Sequence, residues 1–450
     1  MHADWSACYT RELICRDLDG YPASAAWNIC LLERFLRISE EMKKHLIGAF
    51  LVGFALPVVG SCADSVKLGD PSLTSGVPGS GALNAADVKK YLENPANHAV
   101  LSVELPEGLS AGTGAIYIPE DNPLTRAKVE LGRQLYFDKR LSKNATVSCA
   151  DCHSPSAGYG AHTQFGVGIN GQTGGRNSPT SFNRILSKAQ FWDGRAGSLE
   201  AQAVGPIANP IEMGNTHDGV VKFLTANEVY RIQFEKVFGA APNIDNVGKA
   251  IAAFERTIVT GSSPYDAYEP LRKFTEAFSE ELEDLDDFKK DDSVNFAKYE
   301  ELKKKSDFNP MSESAKRGRD LFFSTKSNCS ACHAGANFTD ELYHNLGVGM
   351  AAEKPDLGRY EQTKQEKDKG AFKTPTLRNV ALNAPYMHDG SQETLEEVVE
   401  WYAKGGHANP YLSDKVKKLE LSAQDKADLV EFMKALTGPL PVVNEGRLPQ

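Results

Sequence analysis

Apolar and polar positions alternate with helical spacing in two segments that read alike. Gly132-Arg133-Gln134-Leu135-Tyr136-Phe137 precedes one Cys-x-x-Cys-His motif, and Gly318-Arg319-Asp320-Leu321-Phe322-Phe323 precedes a second. Each predicts an amphipathic helix running through a short loop into the motif. A glycine inside a helix costs about 1 kcal/mol relative to alanine, so its recurrence predicts close approach of another helix. The repeat sets out two similar helical units, residues 121–262 and 310–440. A further helix is expected after Thr394. There Thr394 and Glu397 form a capping-box pattern, and Leu395, Val398, Val399 and Tyr402 share one face. Gly405 and Gly406 end it. Between the units, Glu276 to Asp307 is crowded with Glu, Asp and Lys, so residues 263–309 read as a charged connecting segment, a solvated helical or loop excursion without chemistry. The predicted fold class is mostly α with two tandem helical domains, the number expected for 450 residues.

The start of the chain reads differently. From Met42, Lys43 and Lys44 form a basic region, and Leu46 to Gly60 an apolar stretch too short to span a bilayer. Val59-Gly60-Ser61-Cys62 then resembles a bacterial lipoprotein signal, with Cys62 the lipidated residue. Residues 42–62 are therefore read as a signal peptide, and residues 1–41 as an extension upstream of the true initiator Met42. The expected location is the periplasm or cell envelope, with the membrane reached only through a lipid on Cys62. In the segment 63–120, the Gly/Ser/Pro-rich stretch Gly69 to Gly81 predicts a flexible tether, and Ala82 to Glu120 has no clear pattern. A formal net charge of −10 argues against nucleic acid and suits a complementary protein partner reached by electrostatic steering.

The eight cysteines partition without remainder. Cys8, Cys15 and Cys30 lie upstream of the signal and Cys62 ends it. The others form Cys149-Ala-Asp-Cys152-His153 and Cys329-Ser-Ala-Cys332-His333, leaving no pair for a disulfide. Two cysteines three positions apart capture the vinyl groups of a haem as thioethers, and the next histidine reaches the iron. Zinc is the competitor for such pairs, but nothing nearby in sequence supplies the missing ligands of two zinc sites. A redox-active Cys-x-x-Cys lacks the obligatory histidine. Two covalently attached haem c groups are the expected cofactors, one in each domain.

Around these motifs the chain carries ELGRQLYFDKRLS, RNSPT (176–180), FWDGRAGSLEAQAVGPIANPIEMG (191–214), YHNLGVG (343–349), KTPTLRNVALNAPYMHDG (373–390) and TLEEVVEWYAKGG (394–406). Over nearly all of 121–440 it resembles the bacterial di-haem cytochrome c peroxidase and MauG-type family. The resemblance implies two cytochrome c-like domains, with the peroxidatic haem in the first. It implies that Trp192 lies between the haems and passes electrons, that Glu212 is the acid of the peroxide pocket, and that Gln202 is a pocket amide. It also implies an interhaem calcium ion held by Asn177 and the carbonyls of Asn383 and Pro385. Judged on residue type alone, Trp192 would be a core aromatic and Glu212 a capping acid.

Two departures set the expected mechanism. Where relatives that need reductive activation carry a distal histidine, this chain has Ile169, which cannot ligate iron. The nearest histidine, His162, would need a different loop path. The haem on His153 is therefore expected to be five-coordinate and open to peroxide. At the second haem the expected methionine aligns with Tyr402, the residue found there in MauG-type enzymes; Met387 and His407 are rivals. Tyrosine is an accepted axial donor that lowers the potential and favours higher iron oxidation states.

Three functions are open on this reading. One is a peroxidase reducing hydrogen peroxide with electrons from a small cytochrome c or cupredoxin. Another is a MauG-like oxidase of side chains in a protein substrate. The last is an electron carrier without catalysis, which an open haem beside a carboxylate disfavours. A homodimer is compatible with all three.

Overall fold

The computed structural model describes residues 65–450. The upstream extension, the signal peptide and Cys62 lie outside the described residues.

Helices α1 (Ala85–Leu92), α2 (Arg126–Phe137), α3 (Cys149–Cys152), α4 (Leu199–Ala208), α5 (His217–Ala226), α6 (Glu228–Phe238) and α7 (Ile244–Glu255) build the N-terminal half. Helices α8 (Pro264–Ala277), α9 (Leu285–Asp291) and α10 (Ser293–Phe308) connect it to the second. That half contains α11 (Glu313–Phe322), α12 (Tyr360–Thr363), α13 (Leu395–Ala403) and α14 (Ala423–Lys434). Strand is scarce: β1 (Ser65–Lys67) pairs parallel with β2 (Ser102–Glu104), and β3 (Tyr343–Asn345) antiparallel with β4 (Ala371–Lys373). Among the described residues no helix is long and apolar enough to cross a membrane.

Each half is organised by one helix crossing, α2 on α7 and α11 on α14. The repeated glycines lie at these crossings. A Cβ at Gly132 would collide with the Ala250 carbonyl oxygen and sit 2.9 Å from Phe254 Cβ. A Cβ at Gly318 would collide with the Asp428 carbonyl oxygen and sit 2.9 Å from Phe432 Cβ. Aromatic pairs close both crossings, Tyr136 on Phe254 at 5.2 Å and Phe322 on Phe432 at 5.0 Å between ring centres. Phe254 and Phe432 are fully buried, which stabilises each crossing by about 1.5–3 kcal/mol per ring.

The repeat extends further than its residue identities. Residues 179–206 and 375–402 align without a gap and make the same hydrogen bonds. Asn183 and Asn379 both have positive φ, 56° and 53°. Their main-chain N–H groups donate to Ile258 O (2.8 Å) and Leu436 O (3.1 Å). Their side-chain oxygens accept from Thr260 N (2.9 Å) and Gly438 N (2.8 Å). Matching loops follow, closed by Gln190 N to Ala196 O (2.8 Å) in one half and Tyr386 N to Gln392 O (2.6 Å) in the other. In this register Trp192 corresponds to His388, and Pro206 to Tyr402.

Two expectations are corrected. The stretch Gly69 to Gly81 is no tether, because its apolar residues are buried: Leu73 and Val77 are 4% and 3% exposed, and the neighbouring Leu68 and Leu83 pack beside them. The connecting segment is helical, as a solvated helical or loop excursion allowed, but it is not solvated throughout, because it has its own aromatic seam. Phe274 stacks on Phe278 at 4.4 Å, and Phe288 meets Phe296 edge-on at 5.9 Å. The charge pattern alone did not reveal that inward face.

Candidate haem sites

The first pair of cysteines lies on the single turn α3, whose start is fixed by a capping box between Ser148 and Asp151. The second begins on a 3-10 turn, Cys329–Ala331. None of the four described cysteines is in a disulfide. The histidines that follow are oriented alike. His153 Nδ1 donates to the Tyr159 carbonyl (3.3 Å) and His333 Nδ1 to the Phe338 carbonyl (3.0 Å). Those carbonyls can only accept, so the proton is assigned to Nδ1 and each Nε2 keeps its lone pair for a metal. Burial lowers both imidazoles, His153 to about 4, which holds them in the neutral, ligating form.

Each motif faces a cavity. The N-terminal one, about 1250 Å³ with its mouth, is lined by Cys152, His153, Gln202, Pro206 and Glu212 among others. The C-terminal one, about 1480 Å³ with its mouth, is lined by Cys329, Cys332, His333, Met387 and Tyr402 among others. Two thiols, a free imidazole nitrogen and a large cleft form a donor set that fits haem in both places. Trp192 lines both cavities, as do Lys373, Thr374 and Pro375. Trp192 is held at both ends: its indole Nε1 donates to the Asn177 carbonyl (2.8 Å), and its main-chain carbonyl accepts from Lys373 N (2.7 Å).

On the N-terminal side, α4 presents Gln202 and Pro206, one helical turn apart, to the cavity. Glu212 follows in the next loop, where Asn209 Nδ2 donates to its Oε1 (2.8 Å). Burial raises the Glu212 carboxyl above its ordinary range, opposed by the charge of Arg195. Ile169 is 5% exposed and packs against Gly214, and its main-chain N–H donates to the Glu212 carbonyl (2.8 Å). His162 is exposed. Neither Ile169 nor His162 is among the described residues that line this cavity. The place matching Tyr402 in the other half is Pro206, which also offers no ligand.

On the C-terminal side, Leu395, Val398, Val399 and Tyr402 all face the cavity, as their spacing predicted. Burial raises the Tyr402 phenol well above its usual range, and the neighbouring Cys332 and Cys329 add to this. The expected capping box is half formed. Thr394 Oγ1 accepts from Glu397 N (3.2 Å), but the Glu397 carboxylate turns to Glu393 N (2.6 Å). Gly405 and Gly406 end the helix at φ 87° and 69°. Of the rivals, Met387 lines the cavity and His407 is not among its described wall residues.

Sequence reasoning missed two histidines in this wall, His344 and His388. His388 stacks on Phe372 with ring centres 3.5 Å apart, and burial lowers it to about 4. Its match to Trp192 in the ungapped repeat was the available signal. The fold also gathers Cys332, Asp340 and His344 into one group of possible metal donors, which corrects the expectation that no further ligands lie near. The group is nonetheless an ion-pair network: Asp340 Oδ2 is 2.8 Å from His344 Nε2 and 3.5 Å from Lys415 Nζ.

Asn177 is 7% exposed, and its Nδ2 donates to the Gln164 carbonyl (3.1 Å). Its main-chain N–H donates to His388 O (2.7 Å), which ties it to the loop that carries Asn383 and Pro385. Asn383 Nδ2 donates to the carbonyls of Gly158 (3.0 Å) and Ala157 (3.2 Å). Asn177 and Asn383 are thus each tied by hydrogen bonds to the opposite half.

Residues 126–275 match the di-haem cytochrome c peroxidase family, and residues 315–437 the cytochrome c family. The chain is 36% identical over 333 residues to the methylamine utilization protein MauG of Methylorubrum extorquens, covering 74% of this chain and 84% of that one. It is 36% identical over 315 residues to the cytochrome c551 peroxidase of Nitrosomonas europaea, covering 69% and 80%. A crystal structure of a MauG-like protein associated with microbial copper homeostasis shares 30% identity at a TM-score of 0.60, covering 72% of this chain and 93% of that one.

Proposed function

Because the chain belongs to the di-haem cytochrome c peroxidase and MauG family, we propose that it reduces hydrogen peroxide to water with electrons from a small cytochrome c or cupredoxin. The observation that carries this reading is the N-terminal cavity wall: Glu212 and Gln202 line it, while Ile169 and His162 do not. The haems, held by Cys149, Cys152 and His153 and by Cys329, Cys332, His333 and Tyr402, supply the redox chemistry. Glu212 moves a proton from the inner to the outer oxygen of peroxide. Asn209 holds Oε1, so the transfer falls to Oε2. Gln202 orients the bound peroxide, and Trp192 passes electrons between the cavities. Asn177, with the carbonyls of Asn383 and Pro385, holds a calcium ion that fixes the two halves around Trp192. The protein works in the periplasm or cell envelope, tethered by a lipid on Cys62.

Tyr402 in the C-terminal wall favours a second reading, a MauG-like oxidase that withdraws electrons from side chains of a bound protein. The experiment is optical and EPR spectroscopy of the ferric protein, before and after stoichiometric peroxide. One high-spin and one low-spin haem, both changing on peroxide, is the expected result. Two low-spin haems that ignore peroxide until half-reduced would overturn the open site. Turnover with reduced cytochrome c or cupredoxin then separates peroxidase from oxidase.

A further inference from the structure

The two cavities differ at two positions where their shared architecture makes no such demand. In the ungapped repeat, Arg184 stands where the second half has Val380. At the helix crossings, Glu255 follows Phe254 as Met433 follows Phe432. Arg184 and Glu255 line the N-terminal cavity; Val380 and Met433 line the C-terminal one. Glu255 is 4% exposed, and its Oε2 is buried without a hydrogen-bond partner, as is Arg184 Nε. The other nitrogens of Arg184 donate to the Ser187 hydroxyl (2.8 Å) and the Thr180 carbonyl (3.4 Å). Unpaired buried polar atoms are unfavourable, and the second half carries apolar residues at both matching positions, so the pair serves something particular to the first cavity.

We propose that Glu255, beside Arg184, is the proton-holding group of the N-terminal haem. It takes up one proton at Oε2 as one electron from the donor protein reaches the haem on His153, and it releases that proton when the electron leaves. This rests on the reading of the N-terminal cavity as a haem site. Glu255 touches no substrate and acts through charge, as a positioning residue distinct from Glu212.

The groups around Glu255 allow this. Arg184 faces it from the loop before Trp192, Glu200 from α4, Tyr136 from α2 and Cys149 from α3, and Arg256 follows it in the chain. Arg256 pairs with Glu200 at 2.6 Å, so Arg184 is the nearer unpaired cation, and both guanidinium groups oppose the effect of burial on Glu255. Burial pushes the Glu255 carboxyl up to about 8. Loss of its proton adds negative charge beside the haem and favours the oxidised form. The N-terminal midpoint potential therefore falls as pH rises through the range where Glu255 ionises. One proton per electron limits the slope to about 59 mV per pH unit.

The test is spectroelectrochemical titration of both haems across pH in the holoprotein and in Glu255→Gln, Glu255→Met and Arg184→Val. The last two copy the residues of the C-terminal cavity. Haem is first counted in every sample. Two haems per chain would preserve the cavity reading however the potentials behave. The expected result is a pH-dependent N-terminal potential in the parent, made flat by both Glu255 variants. Arg184→Val lowers that potential throughout, and the C-terminal haem is unaffected in all. A parent without the slope, or Glu255 variants that keep it, would overturn the proposal. The peroxide response of the N-terminal haem is read separately, so loss of that reactivity alone would overturn the proposed function and leave the proton linkage standing.

Discussion

Glu212 and Tyr402 each line one of the two cavities, and the role proposed for each yields a measurable consequence. Glu212 must be ionised to accept the first proton, and burial raises its carboxyl. The rate therefore falls as pH drops through that raised value, and the acid limb of kcat/KM lies above the ordinary carboxylate range. Glu212→Gln removes this limb and lowers kcat/KM by about 10²–10⁴-fold, measured by peroxide-dependent oxidation of the donor. On the proposed ligation by Tyr402, replacement by methionine exchanges an anionic oxygen ligand for a neutral thioether. The C-terminal haem then becomes easier to reduce, and its midpoint potential rises in a redox titration. Ligand residues beside a Cys-x-x-Cys-His were legible because the spacing is the chemistry. Glu212 and Trp192 were legible only through family motifs. His388 and Glu255 were not, because a buried histidine and a buried acid have no local pattern of their own.

At the scale of elements, the glycine in each repeat helix was readable before the structure, and its purpose proved to be contact between backbones. Gly132→Ala and Gly318→Ala each force a methyl group onto a main-chain carbonyl oxygen. Each should destabilise by about 1–3 kcal/mol, the usual cost of overpacking, with a lower Tm in thermal melts of the holoprotein. Helix α13 was legible down to its cavity face, since Leu395, Val398, Val399 and Tyr402 keep the spacing of one side. The segment Gly69 to Gly81 was misread for a physical reason. Glycine, serine and proline describe how freely a chain bends, whereas Leu73 and Val77 determine that it docks. The longer repeat between 179–206 and 375–402 escaped notice because its hydrogen bonds are mostly main-chain, and these tolerate almost any side chain.

Across the whole molecule, the last residues of the chain return to the N-terminal half. Thr74 Oγ1 donates to the Val442 carbonyl (2.7 Å), and Arg140 Nη2 to the Pro449 carbonyl (2.6 Å). Arg133, which is fully buried, donates to the carbonyls of Asn444 and Arg447. Arg447 in turn pairs with Asp87 at 2.6 Å. Removing residues 442–450 should cost about 1–3 kcal/mol for each buried donor left unpaired. The loss should appear as a lower Tm and as faster proteolysis of residues 65–92. This closure has a consequence for how the protein is made. A polypeptide is synthesised from its front, so the half that begins first is completed last. Until residues 442–450 are in place, the guanidinium of Arg133 lacks its carbonyl acceptors, and that lobe stays open however early it was made.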